Sequence, residues 1–126
     1  HQSAEDYLET ILMLSQRMGK VRSIDVVNEL GFTKASVSIA MKKLRENGYI
    51  AVDGEGNLTL LEPGREIAER IYSRHRLLTH FFVQLGVDEK TAAEDACKAE
   101  HILSEQTLEK IREKALQADA EQNDPE

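Results

Sequence analysis

Apolar residues recur at helical spacing over residues 4–18, which predicts a first helix. The segment SIDVVNELG predicts a second helix that has Ser23 as a possible N-cap and ends at Gly31. Its expected inward face consists of Ile24, Val27 and Leu30. A third helix, TKASVSIAMKKLRENG, begins at Thr33 as its cap. The following segments YIAV and NLTLL alternate apolar and polar residues around DGEGN, a pattern that predicts a β-hairpin.

The rest of the chain also predicts helices. A long apolar pattern begins near Pro63, a residue favoured in the first turn of a helix, and runs to about Leu85. Asp88 caps the segment DEKTAAEDACKAEHIL, which we expect to be one helix, and Ser104 begins a last helix. Residues 117–126 are acidic and poor in apolar residues, so they are expected to form a disordered tail.

A winged helix-turn-helix typically contains, in this order, a helix, a glycine turn, a capped helix and a hairpin. We therefore predict a mainly α-helical fold with a small β-hairpin wing. Residues 1–62 would form the winged helix-turn-helix domain and residues 63–116 a helical domain. The helix after the wing is so broadly apolar that it favours a contact between two copies of the chain. The alternative is that this surface lies entirely within one chain.

The third helix has a basic face on an otherwise acidic protein. Between Thr33 and Arg45 there are four basic residues and no acidic one, whereas the formal net charge of the chain is −7. Small residues at the start of this helix would allow it to approach base edges in the major groove. We predict that the residues contacting DNA are Thr33, Lys34, Ala35, Ser36, Ser38, Lys42 and Arg45. The simpler alternative is a solvated helix face with no ligand.

The composition indicates in which cellular environment the protein is expected. The chain of 126 residues has 40% hydrophobic and 31% charged residues and contains neither an apparent membrane span nor a signal peptide. Its single cysteine excludes an internal disulfide and favours the reducing cytoplasm. The general acidity argues against a nonspecific nucleic-acid coat protein and is compatible with a sequence-specific or cation-gated DNA binder.

Three potential metal ligands of different chemical types share one segment. Cys97, Glu100 and His101 are spaced i, i+3 and i+4, so one helix would project them from about the same face. The additional candidates on other predicted helices are Asp6, Glu9 and His75. Such a set is costly to bury without a cation, which favours a site for Mn²⁺, Fe²⁺, Co²⁺ or Zn²⁺. Each residue alone also has a structural explanation, as a core cysteine, a hydrogen-bonded histidine or a solvated charge.

Five segments carry a resemblance that extends from about residue 3 to residue 114: AEDYLETILML, TKASVSIAMKKL, LLEPGREIAE, SRHRLL and ACKAEHILS. Together they resemble the diphtheria toxin repressor and manganese transport regulator family of metal-activated bacterial repressors. This resemblance implies a winged-helix domain, then a helical metal-binding and dimerisation domain, with divalent metal bound between the two. It also implies that the metal ligands are Asp6, Glu9, His75, Cys97, Glu100 and His101. We expect no third domain, as in the shorter members of the family.

The ligand positions combine the patterns of two branches of that family. Asp6 matches the manganese-responsive branch, whereas Cys97 matches the iron-responsive branch. Thr79 and Ala93 stand where the iron branch has an acid and a histidine of a second site, so that version of the second site is not expected. A thiolate favours Fe²⁺ or a softer metal, and the oxygen ligands favour Mn²⁺ or Fe²⁺. Both Mn²⁺ and Fe²⁺ remain open, and Co²⁺, Ni²⁺ or Zn²⁺ could bind in vitro.

We therefore expect a cytoplasmic, homodimeric, metal-dependent repressor that binds double-stranded operator DNA and controls metal-ion homeostasis genes. No catalysis, organic cofactor or membrane partner is expected. One alternative is a winged-helix regulator that senses an organic ligand and is indifferent to metal. Another is a dinuclear metalloenzyme on a helical bundle, against which the chain has no paired Glu-x-x-His motifs.

Overall fold

A computed structural model describes residues 2–123, with side chains for residues 3–122. Its helices are α1 (Gln2–Met18), α2 (Ser23–Leu30), α3 (Lys34–Glu46), α4 (Glu62–Gln84), α5 (Glu89–Ala99) and α6 (Glu105–Asn123). Its strands are β1 (Val21–Arg22), β2 (Ile50–Val52) and β3 (Asn57–Leu60). This confirms the predicted class, mainly α-helical with a small β-hairpin wing. The described chain divides into two compact units between Arg70 and Ile71, within α4.

The first unit contains the winged helix-turn-helix. Strands β2 and β3 form the predicted hairpin, in which Ile50 pairs with Leu60 and Val52 with Leu58. The two-residue strand β1 adds to the other side of β3 through Val21 opposite Leu58, so the strand order is β1-β3-β2. The alternating pattern did not predict β1, because two residues are too few to show a period.

The start of α2 differs from the prediction in two ways. Arg22 occupies the N-cap position and Ser23 is already helical, while Asp25 Oδ2 accepts a hydrogen bond of 2.8 Å from the Arg22 amide. The side chain of α2 that is fully buried is Val26, whereas Ile24 is 43% exposed. The predicted inward face was therefore rotated, since a helix of eight residues contains too few turns to define its face by spacing.

The third helix follows the prediction closely. The Thr33 Oγ1 accepts a hydrogen bond of 3.1 Å from the Ser36 amide, which confirms Thr33 as the N-cap. Its inward residues Val37, Met41 and Leu44 are buried together with apolar residues of α1 and the sheet. The opposite face of α3 is left to solvent.

The second unit is built from the later part of α4 with α5 and α6. Leu78, Ala96 and Leu108 are its buried centre, and Leu77, Phe82 and Ile111 pack against them. Asp88 caps α5, and hydrogen bonds from the amide and the hydroxyl of Thr91 hold the pKa of its carboxyl below the ordinary value.

Helix α4 spans the division between the two units, and α6 is longer than predicted. Helix α4 runs from Glu62 to Gln84 and so continues past the division between Arg70 and Ile71. The predicted domain limit at residue 62 remains a prediction. Helix α6 extends to Asn123, so residues 117–123 are helical where a disordered tail was expected. The hydrogen bond of 2.8 Å from Gln84 Nε2 to Asp119 Oδ1 helps to hold this end of α6 against α4. Residues 124–126 of the expected tail lie outside the described residues.

Candidate metal centre and DNA-binding face

The second unit brings three potential metal ligands together around the end of α5. They are His75 from α4, Cys97 from the last turn of α5, and Glu100 at its C-cap. One ligand atom from each, a ring nitrogen, the thiol sulfur and a carboxylate oxygen, lies within 4.8 Å of the other two. The Nδ1 of His75 is 3.1 Å from Oε2 of Glu100. The fold thus assembles a nitrogen, sulfur and oxygen donor set from two helices.

The Glu100 carboxylate is the centre of this arrangement. Its side chain is 0% exposed, and its Oε1 has no hydrogen-bond partner among the described residues. A buried carboxylate is costly unless hydrogen bonds, a counter-charge or a metal compensates for lost hydration. The neighbouring imidazole and thiol are both groups that bind divalent transition metals. The residues present therefore fit a divalent cation.

His101 contributes to the same surroundings from the turn after α5. Its side chain is 2% exposed, and its Nε2 lies 3.4 Å from Oε1 of Glu100. The sequence had predicted one helix through Leu103, but α5 ends at Ala99 and His101 follows in a turn. The imidazoles of His75 and His101 therefore flank the Glu100 carboxylate. They meet there because α5 ends before Glu100, and not because Cys97, Glu100 and His101 share one helix face.

The two candidate ligands of the first unit lie on α1. The side chain of Glu9 is buried and that of Asp6 is half-buried. They are separated by three positions in a helix, so they project from neighbouring points on its surface. Their role as metal ligands remains a prediction.

Sequence reasoning missed one residue near this centre. Arg74 precedes the candidate ligand His75 and donates a hydrogen bond of 3.2 Å from Nη1 to the backbone carbonyl of Glu100. It also forms an ion pair with Glu105 at the start of α6. Nothing in the spacing indicated this role, because both contacts are made across 26 or more positions of the chain.

The predicted DNA face is open to solvent in the first unit. All seven predicted contact residues are exposed: Thr33, Lys34, Ala35, Ser36, Ser38, Lys42 and Arg45. The basic side chains therefore remain available to phosphates, and the small residues allow the N-terminal part of α3 to approach bases. Contact of these residues with DNA remains a prediction.

The turn of the wing is stiffened by Asp53. Its Oδ1 accepts hydrogen bonds of 2.9 Å from the amides of Glu55 and Asn57, and its Oδ2 accepts one of 3.0 Å from the Asn57 side chain. The backbone and side-chain hydrogen bonds from Asn57 hold the pKa of this carboxyl below its ordinary value. The ionised carboxylate of Asp53 thus stabilises the turn of the hairpin.

Both units match domains of known repressors. Residues 1–58 match the N-terminal DNA-binding domain of the iron-dependent repressors, and residues 61–119 match their metal-binding and dimerisation domain. The chain belongs to the iron-dependent repressor family. The predicted class of protein, a metal-dependent DNA-binding transcriptional repressor with a divalent metal cofactor and a dimerisation domain, is confirmed at the level of this family.

Individual relatives agree with this membership. The chain is 38% identical over 113 residues to an uncharacterised helix-turn-helix transcriptional regulator of Methanocaldococcus jannaschii, covering 88% of this chain and 90% of the relative. It is 34% identical over 109 residues to the transcriptional regulator MntR of Bacillus subtilis, covering 86% of this chain and 77% of that protein. Because these alignments cover 88% and 86% of this chain, the similarity extends over both domains.

Solved structures show the same fold. A manganese-dependent transcriptional repressor in complex with manganese aligns with a TM-score of 0.80 and 30% identity, over 89% of this chain and 52% of that one. The manganese regulator SloR aligns with a TM-score of 0.76 and 27% identity, over 87% of this chain and 52% of that one. The chain thus spans about half the length of these two solved relatives. None of the described helices combines the length and the apolar character that a membrane span requires.

Proposed function

We propose that this protein is a homodimeric repressor that divalent metal activates for binding to operator DNA, and that it controls genes of metal-ion homeostasis. The observation that carries this proposal is the fully buried carboxylate of Glu100 beside His75 and Cys97. Membership of the iron-dependent repressor family supports it. In this proposal the protein acts in the cytoplasm and catalyses no reaction.

The proposed metal ligands are Asp6, Glu9, His75, Cys97, Glu100 and His101. The proximity of three of them within the second unit supports the assignment. The acidic pair on α1 adds the oxygen donors that Mn²⁺ and Fe²⁺ favour. Bound metal would supply positive charge that offsets the burial of carboxylate groups.

Manganese and iron are the proposed physiological metals. Two structural relatives are described as manganese-dependent or manganese regulators, which supports Mn²⁺. The thiol of Cys97 supports Fe²⁺, because softer sulfur ligands favour metals later in the divalent series. Titration with each metal in turn therefore distinguishes them.

In this proposal, helix α1 couples metal binding to DNA binding. This helix packs against both α2 and α3 of the DNA-binding unit. Without metal, Asp6 and Glu9 repel each other and loosen α1, whereas charge neutralisation favours its ordered state. Ordering of α1 would reduce the conformational freedom of α3 and raise the affinity for DNA.

The dimer contact is proposed for the end of the helical domain. Val83, Leu85 and Leu116 are among the large apolar side chains left exposed, the last two at 65% and 63%. The hydrogen bond from Gln84 Nε2 to the Ala115 carbonyl places these residues at the same end of the α4 and α6 pair. Exposed apolar groups at one place favour association with a second copy.

Calorimetric titration of chelator-stripped protein with Mn²⁺, and anaerobically with Fe²⁺, tests the proposal. Glu100→Gln is compared with the wild type, and Glu94→Gln serves as a control because Glu94 is an exposed glutamate of α5, the helix that ends just before Glu100. We expect saturable binding that Glu100→Gln abolishes or weakens strongly and that Glu94→Gln preserves. The same samples are then titrated with duplex DNA with and without metal.

Absence of metal binding by the wild type would contradict the proposal. DNA binding that is unchanged by chelator and by added metal would also contradict it, and would favour a regulator that senses an organic ligand. Metal-dependent DNA binding that is lost in Glu100→Gln alone would support the proposed switch.

A further inference from the structure

The guanidinium of Arg74 joins two segments that follow α5. The side chain is 16% exposed, so it is largely withdrawn from solvent. Its Nη1 donates to the backbone carbonyl of Glu100 at 3.2 Å, while its Nη2 contacts the carboxylate of Glu105. One side chain of α4 therefore contacts both ends of the turn that contains Glu100 and His101.

Two backbone hydrogen bonds close this turn, from the amides of Ile102 and Leu103 to the carbonyl of Ala99, and Arg74 adds a contact to the Glu100 carbonyl. The turn consists of the residues EHILS, among which there is neither glycine nor proline. Ile102 is 77% exposed, so its side chain does not anchor the turn in the interior, whereas Leu103 packs against the core of the unit. The last carbonyl groups of an α-helix have no donor within the helix. Arg74 supplies a donor to the carbonyl of Glu100, where the helix ends.

We infer that Arg74 is a positioning residue for the metal centre. By holding the Glu100 carbonyl and Glu105, it keeps the Glu100 carboxylate buried and facing His75. The inference rests on the proposed function, because it concerns the same ligands. It assigns Arg74 no contact with metal, and its effect on metal affinity passes through the backbone of Glu100.

The chemistry of arginine suits this position. Its planar guanidinium presents several donors in a fixed arrangement, so two nitrogens can bind two different acceptors at once. Lysine has the same charge but concentrates its donors at a single atom. The ion pair with Glu105 also offsets the positive charge of Arg74, which would otherwise oppose a cation bound nearby.

Titration with Co²⁺ under anaerobic conditions tests the inference in the full chain. The proteins are wild type, Arg74→Met, Arg74→Lys and the control Arg76→Met, which removes an exposed arginine of the same helix. We expect Arg74→Met to weaken Co²⁺ binding roughly 10-fold to 100-fold, the range typical of residues that support metal ligands. Arg74→Lys should recover only part of this loss, and Arg76→Met should bind like the wild type.

Two further readouts separate positioning from general stability. The thiolate-to-cobalt absorption band reports ligation by Cys97, and we expect it to change in Arg74→Met but not in Arg76→Met. Amide hydrogen exchange of the metal-free protein should accelerate at Ile102, whose amide bonds to the carbonyl of Ala99, and should stay unchanged in α6. Glu105→Gln replaces the ion pair with a weaker, neutral contact at a side chain that is 79% exposed, so it cannot act by disrupting the core.

If the wild type binds no Co²⁺, Mn²⁺ or Fe²⁺, the proposed function is wrong. If the wild type binds metal and Arg74→Met binds it within twofold of wild type, the inference alone is overturned. Should Arg74→Met fail to fold, Glu105→Gln and Arg74→Lys decide the question. Weaker binding with a changed cobalt band in these variants supports positioning, and unchanged binding in both refutes it.

Discussion

The Nδ1 of His75 lies 3.1 Å from Oε2 of Glu100, so an imidazole from α4 faces a fully buried carboxylate at the end of α5. In the metal-free protein this contact partly compensates for the burial of the carboxylate. The remaining cost of burial is what a bound cation would remove. The contact between His75 and Glu100 therefore links the stability of the second unit to its affinity for metal.

Glu100→Gln should separate these two properties. The amide keeps the shape of the side chain and removes its charge, so we expect the metal-free variant to unfold at or above the wild-type temperature. The wild type should gain about 2.7 kcal/mol at a metal concentration of about 100 times Kd. The variant should gain almost none. Differential scanning calorimetry with and without Mn²⁺ measures both effects, and an equal metal-induced gain in the two proteins would contradict the assignment.

Cys97→Ser should alter metal preference with little effect on folding. The side chain is exposed, so its replacement leaves the core intact. Loss of the soft sulfur ligand should weaken Co²⁺ and Fe²⁺ binding more than Mn²⁺ binding. Competition titrations measure the ratio of affinities, and urea denaturation of the metal-free proteins is the control. An unchanged ratio would remove Cys97 from the proposed ligand set.

Lys42→Ala should weaken binding to specific and random duplex DNA alike. Loss of one phosphate contact is expected to flatten the slope of log affinity against log salt by about one unit. The measurement is fluorescence anisotropy over a series of salt concentrations. Lys110→Ala, at an exposed lysine of α6, is the charge-matched control. A changed sequence preference with an unchanged salt slope would show that Lys42 reads bases instead.

Gly64→Ala should destabilise the first unit. A Cβ atom at this position would lie 2.2 Å from the backbone carbonyl oxygen of Tyr49, which also accepts a hydrogen bond from Leu61. Neither backbone segment can move away without disturbing the end of the wing, and we expect a loss of about 1–3 kcal/mol, as for overpacked cores. Gly54→Ala is the matched control because its Cβ would meet no atom within 4 Å. Urea denaturation that shows equal stability for both variants would contradict the clash.

Asp53 should make the wing sensitive to strong acid. Its folded-state pKa is lower than the ordinary value of 3.8, so its contribution to stability is present above that value and is lost as the pH falls through the folded pKa. Asp53→Asn retains an acceptor oxygen but cannot titrate. We expect the variant to be less stable than wild type above pH 3.8 and to approach it in stronger acid. Thermal unfolding of both proteins across this range measures the difference, and a constant gap would contradict the prediction.

The sequence by itself determined the order of the helices and the wing, because local signals define these elements. Thr33 and Asp88 cap helices through hydrogen bonds to residues three positions away, and the alternating pattern of the hairpin needs no distant partner. The basic face of α3 could also be predicted, since charge on a helix follows directly from spacing. The candidate ligands were named from their chemistry and from the resemblance to known repressors.

Only the tertiary structure decided how the ligands of the second unit meet. The end of α5 at Ala99, and not a continuing helix face, places Glu100 between His75 and His101. The extension of α6 to Asn123 depends in part on Gln84, which contacts Asp119 from 35 positions away. Arg74 reaches the Glu100 carbonyl from a different helix. Such contacts join groups that are remote in sequence, so no local period or motif predicts them. They form only when the helices pack together.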